Sequence, residues 1–181
     1  DSTPPETTHR LTIPAAIVLG LFLLALDLAL KAIADATLPL DQHVSTPLPF
    51  WSWFLTYNTG SHYLLGAVGQ WVPYRLLMGI AAAAVTVLVG YTAREVHHMP
   101  PSRLRTVQWA MVATLIGAMG NAVEVVWRGR ATDYFMLRPF PWPSNLCDQY
   151  VNLTVFVLLP LALLLGWQAS KRADTEAPRS A

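Results

Sequence analysis

The sequence predicts an all-α polytopic membrane protein: four transmembrane helices, with both termini on the cytoplasmic side. Three observations carry that prediction. The 181 residues are 54% hydrophobic and only 13% charged, with a mean hydropathy of +0.39, which is not the balance of an ordinary soluble domain. Four stretches meet the bilayer requirement of roughly 20 predominantly apolar residues per helix. Basic residues gather at alternate connections, as the positive-inside tendency expects.

The four spans run over 11–34, 75–93, 107–126 and 150–168. They make one membrane domain over 11–168, flanked by polar tails at 1–10 and 169–181. The first span is too long for a signal peptide and its leader lacks a basic start, although Ala34-Asp35-Ala36 mimics a cleavage site. No initiator Met precedes it, so the numbering is expected to begin inside a longer chain or after processing. Arg10, then Arg94, Arg103 and Arg105, then Lys171 and Arg172 mark the cytoplasmic flanks. Arg128, Arg130 and Arg138 run against this pattern without reversing it.

Two outer segments, 37–73 and 127–149, connect the spans on the other side. Phe50-Trp51-Ser52-Trp53-Phe54, Tyr57, Tyr63 and Trp71 fill the first, and Phe135, Phe140, Trp142 and three prolines fill the second. Amphipathic aromatics favour the headgroup level. The first segment is read as short strands plus an interfacial helix, with a plain aromatic belt as the alternative.

Charged residues inside or at the edge of a membrane are costly and usually functional. Asp27 and Lys31 share a helix face at i,i+4 and read as an ion pair. Asn58-Thr59-Gly60 reads as a turn. Gly117 and Gly120 suit close helix packing. Asn121 and Glu124 follow on nearly one face, and Asp148 opens the next span on the same side of the membrane. Glu124 and Asp148 are therefore the candidate acid–base pair, sharing a proton and activating a water. Asp133 and Asn145 are candidate supports, Cys147 a packing residue, and Pro160 a kink. A proton or ion carrier is disfavoured, because these charges do not continue across the bilayer.

Other classes fall away. A net charge of +1 with no basic aromatic stripe excludes a nucleic-acid partner. A single cysteine excludes an internal disulfide. His62 reads as a loop residue, and His97-His98 lacks the further ligands of a metal site. No metal and no cofactor are expected.

Together these residues resemble the bacterial lipoprotein signal peptidases, signal peptidase II. The family's D-x-x-x-K is matched by Asp27 and Lys31, and its N-x-G by Asn58 and Gly60. Its G-N-x-x-D-R reads Gly120-Asn121-Ala122-Val123-Glu124-Val125 here, followed by Gly129 and Asp133-Tyr134. Its F-N-x-A-D-S reads Ser144-Asn145-Leu146-Cys147-Asp148-Gln149. The resemblance spans nearly the whole chain and implies an outer β-cradle above the helices. It places Glu124 and Asp148 as the catalytic dyad of an aspartic-type endopeptidase, with Asn58, Gly60, Asn121, Asp133, Asn145, Asp27 and Lys31 binding or supporting. It also implies the bacterial inner membrane, an extracytoplasmic site, and as substrate the lipid-modified signal peptide of a prolipoprotein, held in contact with membrane lipid. The departures at Glu124, Val125, Cys147 and Gln149 raise a second reading. In it the protein is a catalytically inactive relative, serving as a lipopeptide-binding or assembly subunit of a membrane complex.

Overall fold

A computed structural model describes residues 12–60, 73–100, 102–140 and 142–176. Four helical passes are long and apolar enough to cross a membrane: Ile13–Thr37, Tyr74–His98, Arg103–Arg128 and Leu146–Arg172. We label the elements α1 (Ile13–Thr37), β1 (His43–Ser45), β2 (Trp51–Asn58), α2 (Tyr74–His98), α3 (Arg103–Gly117), α4 (Gly120–Arg128), β3 (Ala131–Leu137), β4 (Pro143–Ser144), α5 (Leu146–Leu153) and α6 (Leu159–Glu176).

The third and fourth spans start ahead of their apolar runs because side-chain caps begin them, whereas the first two have no side-chain cap at their N-termini. Ser102 accepts from the Arg105 backbone N–H at 3.1 Å and starts α3 ahead of the hydrophobic stretch. Asn145 and Asp148 form a reciprocal capping box that starts α5 at Leu146. At the other end the fourth pass stays helical to Glu176, so the segment read as a polar tail from 169 begins as helix. Lys171 lies over the Trp167 ring there, at 4.2 Å. Pro160, read as a kink, follows a π-helical turn at Thr154–Leu158. A proline has no N–H to give the preceding turn, and a π turn is one way to absorb that loss.

The third pass is the centre of the bundle and the most buried of the four. Its backbone tightens at Ala118 and Met119, between α3 and α4, without losing hydrogen bonding to either side. The buried residues of α1 are Ala16, Gly20, Asp27, Lys31 and Ala34, a helical stripe that faces the third pass. Glycines set that approach. A Cβ on Gly20 would lie 2.7 Å from Ile116 Cβ, and one on Gly117 would lie 2.8 Å from Leu23 Cβ. Large apolar residues on the outer faces, such as Phe22, Val87 and Phe156, are exposed, as lipid-facing positions require.

The β-cradle is a four-stranded antiparallel sheet of order β1-β2-β3-β4. β2 is rich in aromatic residues, Trp51, Trp53, Phe54 and Tyr57, which suits a strand. The outer aromatics are thus cross-strand packing, with Trp51 stacked on Phe135 at 4.8 Å and Trp53 on Tyr134 at 6.5 Å. Leu55, Tyr134 and Phe135 seat this sheet on Ala34 at the end of α1. Among the described residues of the first outer segment there is no interfacial helix; its remainder, 61–72 with His62, Tyr63 and Trp71, lies outside the described residues, as does the leader within 1–11.

Two arginines that run against the charge pattern are occupied at this end. Arg128 pairs with Asp35 and Glu124, and Arg130 lies 3.3 Å above the Tyr57 ring. His97 and His98 sit at the opposite end of α2, edge to face with each other.

Candidate active site

Asp27, Lys31 and Glu124 are almost fully buried. The Lys31 ammonium lies 2.9 Å from Asp27 Oδ2 and 3.3 Å from Glu124 Oε2. A buried carboxylate is tolerable only when paired and hydrogen-bonded, and Glu124 has every partner it needs. Its oxygens accept from Arg128 Nη1 at 3.1 Å, the Thr132 backbone N–H at 2.9 Å and Thr132 Oγ1 at 2.5 Å. Gly129 closes α4 in the left-handed region at φ 79°, which turns the chain so that Thr132 reaches back to Glu124.

Asp27 also holds the start of the fourth pass. Its Oδ1 accepts from the Cys147 backbone N–H at 3.0 Å, and the Cys147 thiol sits 3.3 Å from its Oδ2. A side chain on Gly120 would collide with Asp27 Oδ2 and come within 2.7 Å of Cys147 Sγ. The glycine is what allows three elements to meet there.

Asn121 joins this charged core to a second acidic group. Its Oδ1 accepts from Lys31 Nζ at 2.5 Å and from Asn145 Nδ2 at 2.9 Å. That fixes the amide so that Nδ2 donates to Asp148 Oδ1 at 3.0 Å. Asp148 Oδ2 accepts from the Asn145 backbone N–H at 3.1 Å and from Ser144 Oγ at 3.2 Å. Asn145 Nδ2 also donates to Asp133 Oδ1 at 2.5 Å. One asparagine therefore bridges the Asp148 cap and Asp133.

Asp133 and Asp148 line a cavity of about 600 Å³ together with Asn58 and Ser144. Phe140, Trp142 and Phe156 form its apolar wall. Asn58 is held by its own turn, its Oδ1 accepting from the Gly60 N–H at 2.9 Å, with Gly60 at φ 92° and Tyr74 packed against it. Burial pushes the Asp133 carboxyl up to about 7; the neighbouring Asp148 charge adds to this and the Asn145 hydrogen bond opposes it. Glu124 lines a different and smaller cleft, about 260 Å³, with Leu28, Val123, Trp127 and Arg128 between α1 and α4.

The structure thus gathers all nine sequence-chosen residues at one end of the bundle but divides them. The carboxylate beside Asp148 in the cavity is Asp133, read from sequence only as a support. Glu124, read as a dyad member, faces Lys31, Arg128 and Thr132. The reason is the turn at Gly129, which carries β3 back over α4 and puts Asp133 where Glu124 was expected. Sequence reasoning missed Thr132 and Arg128 as partners of Glu124. The i,i+4 spacing of Glu124 and Arg128 was the available signal. Among the described residues, no group of three or more His, Cys, Asp or Glu is arranged to hold a metal ion.

Four passes, a sheet at one end, and a buried Asp133 beside a half-buried Asp148 in a cavity with an apolar wall define a polytopic membrane protein. The family model for signal peptidase (SPase) II matches residues 19–164, and the chain belongs to that family. It is 30% identical over 159 residues to the lipoprotein signal peptidase of Serratia marcescens, covering 86% of this chain and 85% of that one. The lipoprotein signal peptidase of Ectopseudomonas mendocina is 29% identical over 165 residues, covering 87% and 92%. Two solved bacterial membrane enzymes share the fold. One has a TM-score of 0.66 at 16% identity, covering 95% of this chain and 97% of its own. The other has 0.67 at 18% identity, covering 86% and 96%.

Proposed function

We propose that the protein is a lipoprotein signal peptidase of aspartic type whose dyad is Asp133 and Asp148. The observation that carries this reading is the shared cavity: two aspartates tied together by Asn145 at its polar end, with an apolar wall beside them. All hydrogen bonds to Asp148 come from donors, which suits an ionised, acceptor-only carboxylate. Asp148 is the general base that takes a proton from the attacking water. Asp133, whose carboxyl burial pushes up to about 7 so that a large share stays protonated near neutral pH, hydrogen-bonds the scissile carbonyl oxygen in its protonated form and protonates it as the tetrahedral centre forms. Proton return to the leaving amine then breaks the C–N bond. Asn58 holds the peptide backbone, and Phe140, Trp142 and Phe156 receive the acyl chains of a diacylglyceryl-modified prolipoprotein. The cavity lies on the extracytoplasmic side of the bacterial inner membrane.

Glu124 and Val125, which motivated the inactive-subunit reading, lie outside this cavity's lining. Glu124 instead fixes Thr132, the residue preceding Asp133. The test is cleavage of a diacylglyceryl-modified prolipoprotein by purified protein in nanodiscs. Wild type cleaves, and Asp133→Asn and Asp148→Asn each lose activity while Glu124→Asp keeps it. A wild type that cuts no lipopeptide would overturn the peptidase reading. Full activity in Asp133→Asn would overturn the dyad.

A further inference from the structure

One polar chain in the cavity is not used by the dyad itself. Gln149 Nε2 donates to Ser144 Oγ at 2.7 Å, and Ser144 Oγ lies 3.2 Å from Asp148 Oδ2. Gln149, Ser144 and Asp148 all line the cavity. A serine hydroxyl has a single hydrogen. While the Gln149 amide N–H occupies a lone pair of Ser144 Oγ, that hydrogen is free to point only outward, and Asp148 Oδ2 is the acceptor it meets. With the amide turned over, Gln149 Oε1 would face Ser144, draw the hydrogen to itself and take a donor from Asp148. Asn152 Nδ2, 3.4 Å from Gln149 Oε1, favours the first orientation.

We infer that Gln149 is a positioning residue: its amide aims the Ser144 hydroxyl at Asp148 and so holds that carboxylate as the proton acceptor. The inference rests on the dyad reading above. The titratable groups facing Asp148 from other elements are Asp27 and Lys31 on α1, Tyr74 on α2 and Asp133 on β3, and Asn121 on α4 donates to it. None changes in the variants below.

The test is Gln149→Met, a donor-free side chain of similar length, beside Ser144→Ala and the double variant. Losing a hydrogen bond to a charged group costs about tenfold in kcat, with KM unchanged. The loss is greatest at low pH and recovers as pH rises, because base then deprotonates what the hydroxyl no longer helps to hold ionised. The double variant is no worse than either single one, since both remove the same donor. A KM effect alone, a pH-independent loss or additive losses would overturn the inference. Carbodiimide labelling of Asp148, read by mass spectrometry with Asp148→Asn as control, needs no turnover. This reagent attacks protonated carboxyls, so labelling at pH 7 rises severalfold in Gln149→Met and in Ser144→Ala. Unchanged labelling would sink the proposal. Raised labelling in a protein that cleaves nothing would sustain it and sink the peptidase reading instead.

Discussion

Two clusters of acid stand side by side at the sheet-bearing end of this bundle, and they are built differently. Around Asp27 and Glu124, two carboxylates share the Lys31 ammonium, and the Arg128 guanidinium closes the outer edge. Around Asp133 and Asp148 there is no cation in direct contact among the described residues; the neighbours are amides, a hydroxyl and a backbone N–H. Cations neutralise acids and remove their reason to move protons. Amides position acids while leaving them chemically unequal. A carboxylate's neighbours, more than its burial, decide whether it holds the fold or does chemistry.

The comparison breaks most sharply at the dyad. Asp133→Asn and Asp148→Asn are each expected to lower kcat by about 10²–10⁴-fold, the usual span for a positioned acid or base. Asp133→Asn should equal or exceed wild-type thermal stability in nanodiscs, since burial and the Asp148 charge both disfavour an ionised Asp133, whereas Asp148→Asn sets an amide N–H against one of that carboxylate's donors and should lower it. Lys31→Met works the other way. It strands Asp27 and Glu124 without their shared cation, and breaking a buried pair costs about 3–5 kcal/mol, read as a large drop in unfolding temperature.

Glu124→Gln sharpens the contrast within one experiment. It keeps the shape but gives up the charge facing Lys31 and Arg128. A stability loss on the order of 2 kcal/mol should accompany a kcat within tenfold of wild type. A collapse of kcat with stability intact would put Glu124 in the chemistry after all.

The pH dependence tests the inequality of the two aspartates. In the proposed mechanism Asp133 acts in its protonated form, and its carboxyl sits up at about 7, so kcat is expected to fall as pH rises through that value. The linkage runs the same way. The folded state binds this proton more tightly than the unfolded chain, whose ordinary value is 3.8. Its contribution to stability is present at acid pH and is lost as pH rises from about 4 to 7. Asp133→Asn should flatten that part of the stability profile. The smallest effect expected is that of Arg130→Ala, which removes the guanidinium over Tyr57; about 0.5–1 kcal/mol and no change in kcat should follow.

Much of this was legible in the chain because the bilayer makes it so. Apolar runs can only cross or pack, so four spans follow from composition, while Ser102 and Asn145 start the third and fourth passes ahead of their hydrophobic stretches. Gly117 and Gly120 announced close packing, and the structure shows what they admit. The outer strands were expected, but their aromatic residues turned out to be partners across β2 and β3, a register that no local pattern specifies.

The site divides along the same line. The sequence by itself determined the membrane class, the four passes, and the short set of residues from which the site is made, because transfer into lipid forbids charge except where it has a purpose. Which acid faces which was decided only by tertiary structure. Glu124 and Asp133 are nine positions apart, and a left-handed turn at Gly129 sends one to Lys31 and Arg128 and the other to Asn145 and the cavity. Spacing along a helix fixes a face, but partners across elements depend on how the chain returns. That return is set by the turn, by Thr132 reaching back to Glu124, and by the packing of Tyr134 and Phe135 beneath the sheet.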